Sequence, residues 1–434
     1  IFSFYDYDTF SAHTIKVTRD AEIDIDNDVS TSFIEKIEKG LKNRKKGKPV
    51  RLVYDKEISA ELLSYLVKRL DLSHKDNLIP GGRIHNFKDF MNFPATVFQQ
   101  KSKRKNPFTH PLLLNAKSVS GVIIEKDVML NFPYHSFDSL IDMMREAAID
   151  PHVTNIKITC YRLATHSKII NALTNAVRNG KKVTVVIELR ARFDEEANLV
   201  WKNKLEEAGV KVIIGLPKMK IHAKVCLIRK KIEKKFVQYG FVSTGNLNEK
   251  TALTYSDHCL LTSNKSIMSE ISALFNFFEN PNGKAVRFNS FKHLFISPYT
   301  MREEIIGLIN KEIKNAEQKK KASIILKLNS LSDEEIINKL FEAAKSGVEI
   351  KLIIRSICCM LTENKKFITP IHAVSIVDEY LEHSRVMVFH NNGNEKVYIS
   401  SADFMIRNLN HRIEVASPIL DKTIKKEKIM NYMQ

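Results

Sequence analysis

The chain has 434 residues and a mass of 49.8 kDa, which argues for two to four domains at roughly 100 to 200 residues each. Lys and Arg number 68 against 50 Asp and Glu, giving a formal charge of +18, while 44% hydrophobic residues and 14 glycines exclude disordered and fibrous classes. The excess of cations points to a polyanionic partner, which charge alone leaves open between nucleic acid, an acidic membrane surface and phosphate in another form.

In chain order, the first hundred or so residues read as a small α/β piece. Ser30 to Leu41 has helical spacing, Val50 to Tyr54 is a short strand, and Ser59 to Leu70 is an amphipathic helix with Leu62, Leu63, Leu66 and Val67 on one face. The basic tract Lys42 to Lys48 reads as a solvated loop, and Lys101 to Lys105, followed by Asn106-Pro107 and His110-Pro111, has the composition of a linker. This places a boundary near residue 108, closing a first piece at 1–108. The start carries no basic segment followed by an apolar one, and no apolar run approaches the roughly 18 residues needed to span a bilayer, which argues against secretion and membrane spanning. A chain that opens without Met, with strand-like residues in progress, is expected to be part of something longer.

From about Asn155 strands and helices alternate, predicting α/β layers on a parallel or mixed sheet. Ile156 to Cys160 is a strand. Lys168 to Arg178 carries the apolar stripe Ile169, Ile170, Leu173, Ala176 and Val177 and stops at Asn179-Gly180, and Val183 to Leu189 is a buried strand. This unit occurs twice. Ile169 to Ile187 aligns without a gap to Ile336 to Ile354 at a constant spacing of 167 positions, and Ile221-His222-Ala223-Lys224-Val225 matches Glu382-His383-Ser384-Arg385-Val386 at 161. An internal duplication is the favoured reading, with equivalent sites facing each other at strand ends.

An H-x-basic pair entering a strand places imidazole and cation on one face. His222 with Lys224, and His383 with Arg385, would then enclose a phosphoryl group between two imidazoles and two cations, which suits in-line phosphoryl transfer. One histidine acts as nucleophile through its neutral nitrogen, and the other as acid or electrostatic partner. Arginines collect at strand ends: Arg162 after Tyr161, Arg190 and Arg192 after the next strand, and Arg355 in the second half. Ser243-Thr244-Gly245-Asn246, matched by Ser400 to Asp403, offers backbone N–H groups to an anion. The five cysteines, Cys160, Cys226, Cys259, Cys358 and Cys359, have no CxxC spacing and lie in or beside apolar runs, so they read as buried free thiols in a reducing cytosol.

Several longer strings carry a specific resemblance. Gly81-Gly82-Arg83-Ile84-His85-Asn86-Phe87-Lys88-Asp89-Phe90, Glu188 to Glu195, Lys220 to Lys224, Ser243 to Asn246 and Leu381 to Arg385 together resemble bacterial polyphosphate kinases of the first type, over essentially the whole chain. The paired H-x-K-like elements also resemble the phospholipase D superfamily. The resemblance implies a head domain at 1–108 followed by two duplicated phospholipase D-like α/β catalytic domains at 109–289 and 290–434. It also implies reversible transfer of the ATP γ-phosphate to inorganic polyphosphate through a phosphohistidine, with magnesium required. It maps the phosphorylated histidine onto His222, nucleotide contacts onto Tyr255, Arg355 and His383, and magnesium-associated positions onto Arg162 and Arg192. A guanidinium has no free lone pair, so these arginines read as phosphate clamps beside an ion held by nucleotide phosphates and water. ATP or ADP and polyphosphate are the implied partners, with a dimer or tetramer for the full-length protein, no nucleic acid, and a cytoplasmic location compatible with peripheral contact at the inner membrane. The resemblance also implies a helical N-terminal domain, after which this chain is expected to start.

Two rivals remain open. A phospholipase D-type phosphodiesterase wants H-x-K-x4-D, but Arg229 and His390 stand where the aspartates belong. A non-catalytic polyanion-binding module has no need of two H-x-basic pairs.

Overall fold

The computed structural model describes residues 7–19, 47–72, 77–86, 90, 97, 104–164, 166–191, 194–216, 219–283 and 286–433. The chain divides into two compact units, Ile1–Arg104 and Lys105–Gln434. The helix expected at Ser30 to Leu41, and most of the basic tract after it, lie outside the described residues.

In the first unit, β1 (Ile15–Arg19), β2 (Pro49–Asp55) and β3 (Leu78–Gly81) form a sheet in that order, β1 antiparallel and β3 parallel to β2. Helix α1 (Ala60–Arg69) begins where Ser59 Oγ accepts the Leu62 N–H at 3.2 Å. Its apolar stripe is only half-buried at Leu63, Leu66 and Val67, and Leu62 is exposed.

The second unit contains two copies of one design. The first runs through β4 (Val128–Phe132), α2 (Asp138–Ile149), β5 (Val153–Cys160), α3 (Lys168–Arg178), β6 (Lys182–Ile187), α4 (Glu195–Glu207), β7 (Lys211–Ile214), β8 (Lys220–Ile221), β9 (Lys224–Ile232), β10 (Lys235–Ser243), β11 (Tyr255–Thr262) and α5 (Lys265–Glu279). The second follows as β12 (Phe295–Ser297), α6 (Met301–Glu317), β13 (Ser323–Leu328), α7 (Glu334–Lys345), β14 (Glu349–Ile354), β15 (His372–Val374), β16 (Leu381–Glu382), β17 (Arg385–Phe389), β18 (Lys396–Ser400), α8 (Ile406–His411), β19 (Arg412–Pro418) and α9 (Lys422–Met433). The sheets have matching orders, β11-β10-β9-β5-β6-β7 with β4 on β11, and β19-β18-β17-β13-β14-β15 with β12 on β19. Both are mixed: β5, β6 and β7 run parallel, as do β13, β14 and β15, and the strands on the other side are antiparallel.

The repeated helix shows how the sequence sets this layer. Ile169, Ile170, Leu173 and Ala176 of α3 are buried against the sheet, as are Ile336, Leu340, Ala343 and Ala344 of α7. Both helices end at a glycine in the left-handed region, Gly180 at φ 77° and Gly347 at φ 91°. The next N–H groups, of Lys181 and Val348, then return to Ala176 and Ala343 at 3.0 Å. The halves share apolar core, with Val225 and Phe275 of the first packed in one cluster with Ile296, Ile413 and Val415 of the second. No helix among the described residues is long and apolar enough to cross a membrane.

Cys160, Cys226 and Cys259 are buried free thiols, whereas Cys358 and Cys359 are exposed. The apolar run that placed them in the core ends with β14 at Ile354, and the chain then turns outward, with Ile357 half exposed as well.

Candidate functional site

The two copies interlock through their shortest strands. β8 leaves its own half and pairs in parallel with β19, Lys220 on Arg412 and Ile221 on Ile413, and the N–H groups of His222 and Ala223 both reach Ile413 O at 2.9 Å. β16 reciprocates on β11, Leu381 on Tyr255 and Glu382 on Ser256, with the Ser384 N–H on Ser256 O at 2.7 Å. Each histidine therefore stands where the chain crosses between sheets. This departs from the expectation of an imidazole and a cation on one strand face, because Lys224 begins β9 and His222 precedes it. The two converge instead on the Tyr161 ring, which meets the His222 ring edge-on at 4.7 Å and the Lys224 ammonium at 5.4 Å.

The crossing hands each histidine a carboxylate from the opposite half. His222 Nδ1 lies 2.8 and 2.9 Å from the oxygens of Glu414, which is fully buried and also accepts from Ser401 Oγ and from Asn408 Nδ2 at 2.7 Å. A carboxylate held this way accepts, so Nδ1 carries the proton and Nε2 keeps its lone pair. Burial holds the His222 imidazole well below its ordinary pKa. Glu414 opposes this, and the cations of Lys224 and Arg412 reinforce it, so the ring is neutral near pH 7. In the second half-site Asp257 accepts hydrogen bonds from His383 Nδ1–H at 2.9 Å and from the Thr244 hydroxyl at 2.6 Å. Burial likewise depresses His383.

The four cations assigned to the site differ in kind. Lys224 is 2% exposed, and its Nζ has no hydrogen-bond partner among the described residues. Burial lowers its pKa to about 7 against the opposing pull of Glu414 and Asp257. Arg385 is already committed: its Nε and Nη2 fork onto Asp403 at 3.3 and 3.0 Å, and Nη1 donates to His383 O at 2.8 Å. The two cations thus differ in surroundings, since the second copy supplies a partner acid, Asp403, where the first has Asn246. Arg162 forms an ion pair with Asp194 at 2.8 Å, and Arg192 lies outside the described residues.

The nucleotide positions implied by resemblance gather around His383. Its ring lies 5.2 Å from that of Tyr255. Asn329 links it to Arg355, accepting from Arg355 Nε at 3.1 Å while its Nδ2 reaches His383 O at 3.3 Å. Arg190 serves architecture instead, held by Glu188 and donating to Leu216 O and Met219 O. Gly245 departs from its expected role too. Its N–H goes to Ser243 Oγ, and a Cβ there would fall 2.2 Å from Asp257 Oδ2, so the missing side chain makes room for the carboxylate.

Sequence reasoning missed Glu414, Asp257, Tyr161 and Arg412. The acids were within reach of the repeat: beyond the H-x-basic pairs the spacing settles at 157 positions, placing Ser243-Thr244 on Ser400-Ser401 and Tyr255-Ser256-Asp257 on Arg412-Ile413-Glu414. Two acids at one place in both copies, near strand starts, was the available signal. For metal binding, the described residues include no group of three or more His, Cys, Asp or Glu placed to hold an ion.

Comparison with known proteins agrees along the chain. Residues 1–93 match the polyphosphate kinase middle domain, 118–284 the polyphosphate kinase C-terminal domain 1, and 294–434 the polyphosphate kinase C-terminal domain 2. The chain is 46% identical to the polyphosphate kinase of Vibrio cholerae over 423 residues, covering 97% of this chain and 60% of that protein. It is 44% identical to that of Escherichia coli K12 over 425 residues, covering 97% and 61%. The crystal structure of polyphosphate kinase from Porphyromonas gingivalis superimposes with a TM-score of 0.83 at 35% identity, over 99% of this chain and 62% of that one. The chain thus spans about 60% of the length of these relatives. On the consecutive match of all three domains and the agreement in fold, the chain belongs to the polyphosphate kinase family.

Proposed function

We propose that this chain carries the phosphoryl-transfer centre of a polyphosphate kinase, which moves the γ-phosphate of ATP reversibly onto inorganic polyphosphate through a phosphohistidine at His222. The observation that carries the reading is a neutral imidazole with Nδ1 locked on Glu414, beside a buried ammonium that has no hydrogen-bond partner among the described residues.

In the first step the Nε2 lone pair attacks the γ-phosphorus in line. The N–P bond forms, the bond from phosphorus to the β,γ-bridging oxygen breaks, and ADP leaves with that electron pair. The proton stays on Nδ1, and the Glu414 carboxylate that accepts from it balances the positive charge that develops on the ring. Lys224 meets the equatorial phosphoryl oxygens, and the desolvation that depresses its pKa is offset when an anion arrives. In the second step a terminal polyphosphate oxygen attacks the same phosphorus and the N–P electrons return to Nε2. Tyr255, Arg355 and His383 serve the nucleotide side, and Arg162 acts as a phosphate clamp, the role that the resemblance also gives Arg192.

Magnesium enters this proposal bound to the nucleotide. The acids nearest the histidines are each engaged, Glu414 with His222, Asp257 with His383, Asp403 with Arg385 and Asp194 with Arg162. These residues do not make a protein cage for the ion.

The test is incubation with γ-labelled ATP and magnesium. The expected product is an acid-labile, alkali-stable phosphoenzyme that is absent from His222→Ala. Labelling and polymer synthesis that persist in that variant would overturn the assignment.

A further inference from the structure

On the far side of β11 from His383 lies a buried polar group that no step above uses. His258 follows Asp257 in the strand, so its ring faces the opposite side of the sheet. Helix α9 closes over it. Tyr432 Oη lies 2.7 Å from His258 Nε2, and Lys428 Nζ lies 3.4 Å from Nδ1 and 2.6 Å from Asn131 Oδ1. His258 is 7% exposed and Lys428 2%.

The chemistry of the donors fixes the direction of this chain. An ammonium only donates, so His258 Nδ1 accepts from Lys428, and Nε2–H donates to Tyr432. The Tyr432 hydroxyl in turn stands beside Ser384 of the second half-site. Ser384 sits between His383 and Arg385, and its Oγ also accepts from the buried Lys327, which pairs with Glu382 at 2.7 Å. The group therefore ends on both sides of His383, at Glu382 and Ser384. It also touches Asp257 through His258, whose N–H donates to the Thr244 hydroxyl that binds that carboxylate.

We propose that helix α9 is a positioning element for the nucleotide half-site, in which Lys428, His258 and Tyr432 form a directed hydrogen-bond chain that fixes the Glu382-His383-Ser384 crossing against Asp257. Tyr432 and Lys428 touch no reacting atom, so they act through Ser384 and His258. The inference rests on the assignment of His383 to the nucleotide side.

The experiment compares the full chain with Tyr432→Phe and Lys428→Met. Each variant removes one link and keeps most of the buried volume. The expected result is a KM for ATP raised about five- to tenfold, the scale of one lost buried hydrogen bond, with the extent of His222 labelling at saturating ATP unchanged. Amide hydrogen exchange at residues 381–385 should accelerate in both variants. A lower melting temperature with KM and exchange at 381–385 both unchanged overturns the proposal and leaves α9 as packing alone. If the unmodified chain forms no phosphohistidine, the functional reading fails separately, and the exchange measurement still decides whether α9 holds the crossing. Slow exchange at 381–385 in both variants then overturns the proposal without reference to ATP.

Discussion

Glu414 and His222 lie 192 residues apart and meet at 2.8 Å, and the mirror relationship joins Asp257 to His383 at 2.9 Å. Each carboxylate fixes a tautomer in the other half, so its loss should be felt there. Glu414→Gln keeps the shape but not the charge that balances a phosphorylated ring. Phosphoenzyme formation is expected to slow by roughly 10²-fold or more, with nucleotide affinity changed little. Asp257→Asn should do the opposite, weakening nucleotide use while His222 still labels. Rapid-quench labelling at saturating and limiting ATP separates the two outcomes.

Lys224 titrates near pH 7 in the unliganded protein because burial opposes its charge. As pH rises through about 7 the free enzyme loses this cation, so kcat/KM should fall on the alkaline side, while kcat, measured with the anion bound, falls later. Lys224→Arg should move that limb upward, since a guanidinium stays charged. Lys224→Met should abolish labelling yet stabilise the fold. The unfolded side chain keeps its proton up to pH 10.5, so the cost of burying the charge is full below pH 7 and shrinks between 7 and 10.5. The gain in Tm, about 2–4 °C, should follow that window in a thermal melt.

Gly245→Ala drives a Cβ into the Asp257 carboxylate, and Gly240→Ala drives one to 1.9 Å from Cys226 O. Both should cost about 2–4 kcal/mol in chemical denaturation. Their effects on catalysis should differ. The first displaces the partner of His383 and raises the KM for ATP, and the second strains the β9–β10 pairing with no selective effect on nucleotide.

Thiol accessibility gives a direct check of the fold. Of the five cysteines, Cys358 and Cys359 are exposed and Cys160, Cys226 and Cys259 are buried. An aromatic disulfide reagent should titrate two thiols rapidly in the native protein and three more only after denaturation. Cys358→Ser with Cys359→Ser should remove the fast phase completely.

Much of this was legible in the sequence because it is periodic. The stripe at Ile169, Ile170 and Leu173 and its repeat at Ile336 and Leu340 name the helices, and glycines 180 and 347 name their ends. His222, Lys224 and His383 are visible because the repeat preserves them. The strand exchange was not legible. β8 and β16 are two residues long, and a parallel pairing from Lys220 to Arg412 leaves no local pattern. The commitment of Arg385 was equally hidden, since it depends on Asp403 standing where the first copy has Asn246. The exposed cysteines escaped because an apolar run does not say where a strand ends.

The exchange of β8 and β16 is the geometry of a strand-swapped pair whose two members have been joined in one chain. A half expressed alone would keep its central strands but would lose one strand from its sheet and would carry a histidine without its carboxylate. Neither fragment should label on its own. Co-expressed fragments cut between α5 and β12 have all the pairing they need to re-form the centre. Activity is then a reporter of association, turning this fold into a split enzyme whose signal begins only when the halves meet.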